Sequence, residues 1–288
     1  MDQDFDNKKV LIFTDMDGSL LDHDSYSHTA ADALLQQLEE KQVAVIPATS
    51  KTSAELLQLR EELHNRHPFI AENGAAVYIP DNYFAHEISD THYKQGFYIK
   101  AFTETRAYWQ SLITPLQDEF AGCFTTFKQL DISNIMELTG LDQASATRAA
   151  KREYGEPIAW QGTASKKRDF IRRIQELGAR VLQGGRFIHV SGKCDKGQAL
   201  KWLADCYQET MPDVTFHTLA IGDSQNDIAM LEAADMALII RSPVHDMPVL
   251  KRQNNYYSSK NTGPEGWVEG VEHLLGSSIN IEKTLIVE

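Results

Sequence analysis

Short apolar runs alternate with amphipathic segments along much of this chain. Residues 10–13 form an uninterrupted, β-rich apolar run, which is typical of a strand buried on both faces of a parallel sheet. Further buried strands are predicted at residues 43–46 and 215–221, and residues 236–240 continue the sheet. Between the first two of these strands, residues 29–41 place their apolar positions on one face of a helix. A strand, a helix and a strand in this order predict a right-handed βαβ unit, whose strands end at the same edge of the sheet.

The middle of the chain has a different character. Aromatic and charged residues are frequent there, and the strand candidates are less apolar. Helices are predicted at residues 103–120, 142–154 and 165–177, and short strands at 158–160, 180–182 and 187–190. We therefore predict an α/β fold with a Rossmann-like, doubly wound parallel sheet core (1–83 and 188–288) and an inserted α+β cap domain (84–187).

Size and composition are those of an ordinary globular protein, with 288 residues of which 42% are hydrophobic and 24% charged. The longest apolar runs are too short to span a bilayer, and the first seven residues are acidic rather than signal-like. Three scattered cysteines, Cys123, Cys194 and Cys206, include no CxxC pair, which argues against a disulfide scaffold or a zinc site. We expect a cytoplasmic protein.

The net charge of −13 argues against nucleic acid or an anionic membrane surface as a partner. It also means that the overall field repels a phosphate-bearing substrate. Any phosphate site must therefore be locally positive. No feature of the sequence indicates an oligomeric state.

The first apolar run leads directly into Thr14-Asp15-Met16-Asp17-Gly18. Two carboxylates spaced i, i+2 at the carboxyl end of a buried strand lie where open α/β sheets bind ligands. An EF-hand calcium loop would need a preceding helix and a glutamate at its twelfth position, but here a strand precedes and Tyr26 takes that position. The pair is therefore either a catalytic site or a polar strand end.

Further polar residues follow the later elements. Ser50 and Thr52 lie at the start of a predicted helix, where a hydroxyl is either a helix cap or part of an anion site. The expected polar residues at one edge of the sheet are Asp15, Asp17, Ser50, Lys196, Asp223 and Asp227. Carboxylates so concentrated repel one another unless a cation joins them, and an all-oxygen ligand set favours Mg²⁺.

This set of groups predicts phosphoryl transfer. One aspartate of the first strand can attack phosphorus, while the other protonates the leaving alcohol and later activates water. Lys196, Ser50 and backbone N–H groups after Asp15 would neutralise the equatorial phosphate oxygens.

These segments, in this order and spacing, resemble the haloacid dehalogenase superfamily of phosphotransferases. The resemblance rests on residues 15–19, Ser50, Lys196-Gly197 and residues 222–227. It implies that Asp15 is the nucleophile and Asp17 the general acid/base. It also implies that magnesium is bound by Asp15, by the backbone carbonyl of Asp17 and by Asp223. Asp227 would hold either a metal-bound water or Lys196. Ser19 departs from the more common threonine, and either hydroxyl could serve.

Motifs at residues 48–52, 71–76, 138–141, 152–157 and 189–197 are similar to mannosyl-3-phosphoglycerate phosphatases, within the Cof-type branch of sugar phosphatases. The similarity implies a Mg²⁺-dependent phosphatase that converts mannosyl-3-phosphoglycerate, or a close glycosyl relative, to the glycosylglycerate and phosphate. A broader hexose-phosphate or sucrose-phosphate phosphatase is the alternative. A non-catalytic sugar-phosphate sensor is a third possibility.

Such a substrate has a carboxylate as well as a phosphate, so the site needs further cationic or N–H donors. On the helix predicted over residues 142–154, Arg148 shares a face with Lys151 and Arg152. These three either select the substrate or form a solvated basic face. The candidate substrate-binding residues are Ser50, Lys51, Asn73, Arg148, Lys151, Arg152 and Lys196.

Overall fold

The computed structural model of the chain describes residues 8–184, 187–244, 246–276 and 279–280. Its strands are β1 Lys8–Thr14, β2 Ala44–Pro47, β3 Phe69–Ala71, β4 Ala76–Pro80, β5 His92–Lys94, β6 Phe97–Ala101, β7 Phe124–Thr126, β8 Glu156–Trp160, β9 Arg180–Gly184, β10 Phe187–Ser191, β11 Thr215–Gly222, β12 Met236–Arg241 and β13 Tyr256–Thr262. Its α-helices are α1 Asp32–Glu40, α2 Ser53–Glu62, α3 Arg106–Ile113, α4 Leu116–Glu119, α5 Ile132–Thr139, α6 Gln143–Ala149, α7 Ala164–Glu176, α8 Lys196–Thr210, α9 Ile228–Ala233 and α10 Gly263–Leu275. Within these ranges, none of the helices has the length and apolar character needed to cross a membrane.

The central sheet is parallel, with the strand order β13-β12-β11-β1-β2. Because side chains alternate along a strand, the two faces of β1 pack on different helices. Ile12 belongs to one core cluster with Leu34 of α1 and Trp267 of α10, whereas Phe13 belongs to another with Leu200 of α8. The predicted doubly wound parallel core is confirmed. Helices cover both faces, so a ligand is expected at the carboxyl ends of the strands.

A second sheet is antiparallel, with the order β3-β4-β6-β5. A bridge between Ala48 and Ile70 connects its first strand to the end of β2. Strands β5 and β6 were not predicted, because their polar and aromatic side chains are mostly exposed or half-buried and give no apolar run. The cap boundary predicted at residue 84 falls between β4 and β5, and it stays a prediction.

A third sheet is antiparallel, with the order β7-β8-β10-β9. Its strands lie in the range of the predicted α+β insertion except for most of β10, which follows the cap end predicted at residue 187, and that boundary also stays a prediction. One face of the sheet packs on α3 and α7, where Trp109 and Phe170 share a core cluster with Ile188. The other face packs in part on α5 and α6, where Ile135 lies in the cluster that contacts Phe187. We call this unit the cap.

Two helices predicted in the cap are wrong in extent. Residues 103–120 form two helices instead of one, because Pro115 has no N–H with which to continue α3. The helix predicted over residues 142–154 ends at Ala149, so that Arg148 is the one member of the predicted basic face that lies on it. The N–H groups of Glu153 and Gly155 donate to the carboxylate of Glu72 instead of continuing the helix.

Candidate active site

Three charged side chains form a buried line at the ends of β1 and β11. Asp15 follows β1 directly, and its N–H donates to the carbonyl oxygen of Ile221 at 2.8 Å. Lys196 begins α8 and places its ammonium between two carboxylates: Nζ lies 2.5 Å from Oδ1 of Asp15 and 2.6 Å from Oδ1 of Asp227. The side chains of Lys196 and Asp227 are fully buried, and that of Asp15 is 8% exposed. The structure thus brings together three residues that are far apart in the sequence.

The ionisation states of Asp15, Lys196 and Asp227 depend on one another. Burial opposes the charge on Lys196, yet the attraction of Asp15 and Asp227 raises its pKa above the ordinary value. Burial also raises the pKa of Asp15 well above its ordinary value, with Lys196 opposing the shift and Asp227 adding to it. The attraction of the two carboxylates therefore favours the charged lysine, and a further positive charge beside Asp15 would favour the ionised form of that carboxyl.

The surroundings of Asp223 fit a hard divalent cation. One oxygen each of Asp15, Asp223 and Asp227 lies within 4.8 Å of the other two. A β-carbon on Gly18 would come within 2.7 Å of Oδ2 of Asp223, so only glycine lets the loop after β1 approach this carboxylate so closely. The ammonium of Lys196 contacts two of these three carboxylates, those of Asp15 and Asp227, and a cation with oxygen ligands would balance the excess negative charge of the cluster.

Asp227 is already engaged by protein donors at both oxygens. Oδ1 accepts from Lys196, while Oδ2 accepts from the N–H groups of Asp223 and Ser224 at 3.2 and 3.1 Å. A β-carbon on Gly222 would lie 2.4 Å from the β-carbon of Asp227, so this close approach also requires glycine. Of the two roles implied by the resemblance, the geometry favours the one in which Asp227 holds Lys196.

Asp17 forms an ion pair with Lys51, with 2.8 Å between Oδ2 and Nζ. Its Oδ1 is buried and accepts no hydrogen bond from any residue that the structure describes. Burial opposes the charge on Lys51, but Asp17 raises the pKa of the ammonium above its ordinary value. A carboxylate that is anchored through one oxygen and unpartnered at the other is suited to exchange a proton with a ligand.

Thr52, rather than Ser50, caps α2. Its hydroxyl accepts from the N–H of Glu55 at 3.2 Å, and the Glu55 carboxylate accepts from the N–H of Thr52 at 2.8 Å, which is a capping box. Ser50 therefore does not cap α2, and its role in an anion site stays a prediction. Ser50 also lines the cleft described below.

The turn that carries Asn73 packs against the start of α8. Nδ2 of Asn226 donates to Oδ1 of Asn73 at 3.0 Å. Gly74 has φ of +88°, and a β-carbon there would lie 2.2 Å from the carbonyl of Asp195, the residue that caps α8. Asn226 was not predicted as a site residue. The only feature of the sequence that could have indicated it is its place in the polar run after β11.

The buried carboxylate of Glu72 joins the core to the cap. Glu72 was not predicted as a site residue. It accepts from the N–H groups of Glu153 and Gly155 at 2.6 and 2.8 Å, and it lies 3.4 Å from Nε of Arg152. Nη2 of Arg152 in turn donates to the carbonyl oxygen of Ser50 at 3.1 Å. The signal in the sequence was a single acidic residue between the apolar segments that form β3 and β4.

The three basic residues predicted to select the substrate have different surroundings. Arg152 reaches the loop after β2, as described above. Arg148 donates to the hydroxyl of Ser145 at 3.0 Å within α6. Lys151 is exposed.

A cleft of about 1000 Å³ lies between the core and the cap. Ser50, Asn73 and Asn226 line it from the core, and Arg180 and His189 line it from the cap. Burial and the nearby charge of Arg152 lower the pKa of His189 to about 4. The cleft can hold a molecule larger than a phosphate ion, with polar groups on both walls.

The chain is similar in sequence to two family models and to a known phosphatase. A family model described as haloacid dehalogenase-like hydrolase matches residues 12–146, and one described as sucrose-6F-phosphate phosphohydrolase matches residues 175–275. The chain is 34% identical over 275 residues to the glucosyl-3-phosphoglycerate/mannosyl-3-phosphoglycerate phosphatase of Methanococcoides burtonii, which spans 95% of this chain and 100% of the relative.

Solved structures share the fold. BT1666 from Bacteroides thetaiotaomicron, described among phosphatases of the haloalkanoate superfamily, is 18% identical with a TM-score of 0.64, covering 96% of each chain. The sucrose-phosphatase of Synechocystis sp. PCC6803, solved with sucrose and phosphate, is 14% identical with a TM-score of 0.54, covering 93% of this chain and 98% of that one. At these identities the likeness concerns the fold alone.

The relative from Methanococcoides burtonii carries the family assignment, because its similarity extends along nearly the whole chain. The family model and the shared fold agree with it. The resemblance inferred from the sequence is confirmed: the chain belongs to the haloacid dehalogenase-like hydrolases.

Proposed function

We propose that the chain is a Mg²⁺-dependent phosphatase that hydrolyses mannosyl-3-phosphoglycerate, or a close glycosyl-3-phosphoglycerate, through an aspartyl-phosphate on Asp15. The observation that carries the proposal is the buried line of Asp15, Lys196 and Asp227 beside Asp223. The substrate named for the Methanococcoides burtonii relative supports the choice of substrate.

The first step transfers the phosphoryl group to Asp15. Lys196 holds Oδ1, which leaves Oδ2 to attack phosphorus. A bond forms between Oδ2 and phosphorus while the bond from phosphorus to the ester oxygen breaks. Protonated Asp17 gives its proton to the departing oxygen, so that the glycosylglycerate leaves as a neutral alcohol group.

The second step returns the enzyme to its starting state. Asp17, now ionised and paired with Lys51, takes a proton from a water molecule. The water oxygen attacks the same phosphorus, and the bond from phosphorus to Asp15 breaks. Phosphate and the Asp15 carboxylate are released, and Ser50 and Lys196 stabilise the charge on the phosphoryl oxygens in both steps.

The cation has a defined place in this proposal. Asp15, Asp223 and the backbone carbonyl of Asp17 would hold Mg²⁺, which when bound would neutralise charge on the transferring phosphoryl group. Asp227 keeps Lys196 in position and is not needed as a ligand.

A broader hexose-phosphate or sucrose-phosphate phosphatase is the second candidate. It is favoured by the match of residues 175–275 to the sucrose-6F-phosphate phosphohydrolase model. A sugar-phosphate sensor without activity would not need the buried pairing of Asp15 with Lys196, which counts against that third possibility.

A small anionic metabolite is the partner that this proposal requires. A cytoplasmic location fits it, because Cys123, Cys194 and Cys206 are free and buried, as in a reducing compartment. Nucleic acid and anionic membranes remain disfavoured by the net charge of −13.

Phosphate release from a panel of substrates tests the proposal. The panel contains mannosyl- and glucosyl-3-phosphoglycerate, sucrose 6-phosphate, several hexose phosphates and p-nitrophenyl phosphate, each with Mg²⁺ and with EDTA. We expect kcat/KM to be highest for a glycosyl-3-phosphoglycerate and activity to require Mg²⁺. A higher value for sucrose 6-phosphate or a hexose phosphate would favour the second candidate, and no release from any substrate would favour the sensor.

A further inference from the structure

The cap sheet leaves part of one face uncovered. Side chains alternate along its strands, so Ile188 and Val190 of β10 point to the face that α3 and α7 cover. Phe187 and His189 point to the other face. There α5 and α6 cover Phe187, through a cluster that includes Ile135, whereas His189 lines the cleft.

Three side chains form this uncovered patch. His189 is paired directly with Leu182 of the neighbouring strand β9, and Arg180 lies two residues before Leu182 on the same face. All three line the cleft, opposite Ser50 and Asn73 of the core. The patch therefore faces the space next to the phosphate site, where the part of the substrate that is not transferred must lie.

The two polar members of the patch have capacity for a ligand. The imidazole of His189 hydrogen-bonds to none of the residues that the structure describes, and its low pKa keeps it neutral at pH 7, with one donor and one acceptor nitrogen. Arg180 donates through Nη1 to the carbonyl oxygen of Cys194 at 2.8 Å, and the same nitrogen lies 3.9 Å from Oδ2 of Asp195. Its side chain is still 40% exposed. A guanidinium can bind a carboxylate through its remaining N–H groups.

Among the charged residues that line the cleft, Arg180 is the one best placed to bind a carboxylate of the substrate. Among the described lining residues, the permanent cations are Arg180 on the cap side and Lys251 on the core side, which also carries the carboxylates of Glu232 and Asp246. Arg152 is less available, because it is already engaged with Glu72 and with the carbonyl of Ser50.

We propose that Arg180 and His189 are the specificity-determining residues of this cleft, with Arg180 binding a carboxylate and His189 a hydroxyl group of the non-transferred part of the substrate. The proposal rests on the proposed function, which supplies a substrate with both groups. It assigns recognition to β9 and β10 of the cap sheet and leaves the chemical steps to the core.

The experiment compares two substrates in six proteins, the wild type and five variants. The substrates are mannosyl-3-phosphoglycerate and p-nitrophenyl phosphate, which has neither carboxylate nor hydroxyl. The variants are Arg180→Met, Arg180→Lys, His189→Leu and His189→Gln. Arg168→Met is the matched control, since Arg168 is an exposed arginine on α7, at the opposite face of the cap sheet.

The quantity measured is the ratio of kcat/KM for mannosyl-3-phosphoglycerate to kcat/KM for p-nitrophenyl phosphate. Arg180→Met should lower this ratio about ten- to hundred-fold through KM, as expected for a lost charge-assisted hydrogen bond. His189→Leu should lower it about three- to ten-fold, as expected for a lost neutral hydrogen bond. Arg180→Lys and His189→Gln should recover part of each loss, and Arg168→Met should leave the ratio unchanged.

Two results would overturn the inference and leave the proposed function standing. The first is an unchanged ratio in Arg180→Met and His189→Leu. The second is an equal loss of kcat on both substrates, which would mean that Arg180 acts through Asp195 and Lys196 and does not bind the substrate. A wild-type enzyme that hydrolyses p-nitrophenyl phosphate but not the glycosyl-phosphoglycerate would instead overturn the proposed function, and the inference with it.

Discussion

At the scale of single residues, the site depends on an ammonium that is surrounded by carboxylates away from water. Lys196 has no exposed surface, and its partners Asp15 and Asp227 are buried with it. Removing one partner of a buried ion pair leaves an uncompensated charge, which is more destabilising than the pair itself is stabilising. Catalysis and stability are therefore coupled at this position.

Asp15→Asn should abolish phosphate release while the protein stays folded. The change is nearly isosteric, but it removes the nucleophilic oxygen. Steady-state phosphate release and circular dichroism measure the two properties. The matched control is Asp205→Asn on the exposed face of α8, which should keep wild-type activity. Substantial turnover by Asp15→Asn would refute the role of Asp15 as nucleophile.

Lys196→Met should lower both activity and stability. It leaves Asp15 and Asp227 buried without their shared cation, at a cost of about 3–5 kcal/mol in the free energy of unfolding. Chemical denaturation in EDTA gives this value without interference from bound metal. A variant as stable as the wild type would show that the two carboxylates are protonated or solvated, contrary to the buried ion pairs described here.

His189 should make the protein less stable in mild acid. Its pKa is lowered to about 4 by burial and by Arg152, so between pH 4 and an unfolded pKa of about 6.5 the unfolded chain binds more protons than the folded one. Stability then rises with pH across that window and is lost as pH falls, by up to about 1.4 kcal/mol per pH unit. Denaturant titrations of the wild type and His189→Gln at several pH values measure the slope. Equal slopes in the two proteins would contradict the assignment.

At the scale of secondary-structure elements, loops between strands hold the site together. The turn between β3 and β4 contacts the start of α8 through Gly74 and the cap through Glu72. The loop after β2 contacts the same cap segment through the bond from Arg152 to the carbonyl of Ser50. We therefore expect any movement of the cap to be transmitted to the loops after β2 and β3 through these contacts.

Gly74→Ala should lower kcat although Gly74 touches no reacting atom. A β-carbon there would lie 2.2 Å from the carbonyl of Asp195, so the start of α8 must shift and Lys196 with it. Gly96→Ala is the matched control, since Gly96 has a similar φ of +84° but nothing within 4 Å of the added carbon. Both variants bear the backbone strain, of about 1 kcal/mol, but only Gly74→Ala should lose activity. Equal losses of kcat would mean that strain alone is responsible.

The elements that the sequence predicts well are those with a local signal. The strands before Asp15 and Asp223 each contain a buried apolar stretch, at residues 10–13 and 219–221, so their polar ends could be located from the sequence alone. The early end of α6 could not be predicted, because it depends on a carboxylate, that of Glu72, nearly eighty residues away in the chain. The same holds for the uncovered patch of Arg180 and His189, since only the pairing of β9 with β10 brings these residues together.

At the scale of the whole molecule, a strongly acidic chain must attract an acidic substrate. The net charge is −13, and the site itself contains several carboxylates. The long-range field of such a protein slows the approach of anions. A bound divalent cation and the basic residues around the cleft would provide the local attraction that the chain as a whole lacks.

Mg²⁺ should therefore raise the thermal stability of the wild type as well as its activity. A ligand that binds only the folded state stabilises it by about 4 kcal/mol at a thousand times its Kd, so Tm should rise with Mg²⁺ concentration. Thermal unfolding at increasing Mg²⁺ after dialysis against EDTA measures the effect. Asp223→Asn should show a weaker response, and Asp205→Asn should behave as the wild type. A Tm independent of Mg²⁺ would contradict the proposed cation site.

The most direct test is to trap the phosphoryl group on the enzyme. Wild-type protein is mixed with mannosyl-3-phosphoglycerate and Mg²⁺, quenched in acid within one turnover, and digested for mass spectrometry. The account predicts that the peptide containing Asp15 gains the mass of one phosphoryl group, and that the Asp15→Asn protein shows no such peptide. Phosphate release at the normal rate with no phosphorylated peptide, or with the group on another residue, would contradict it.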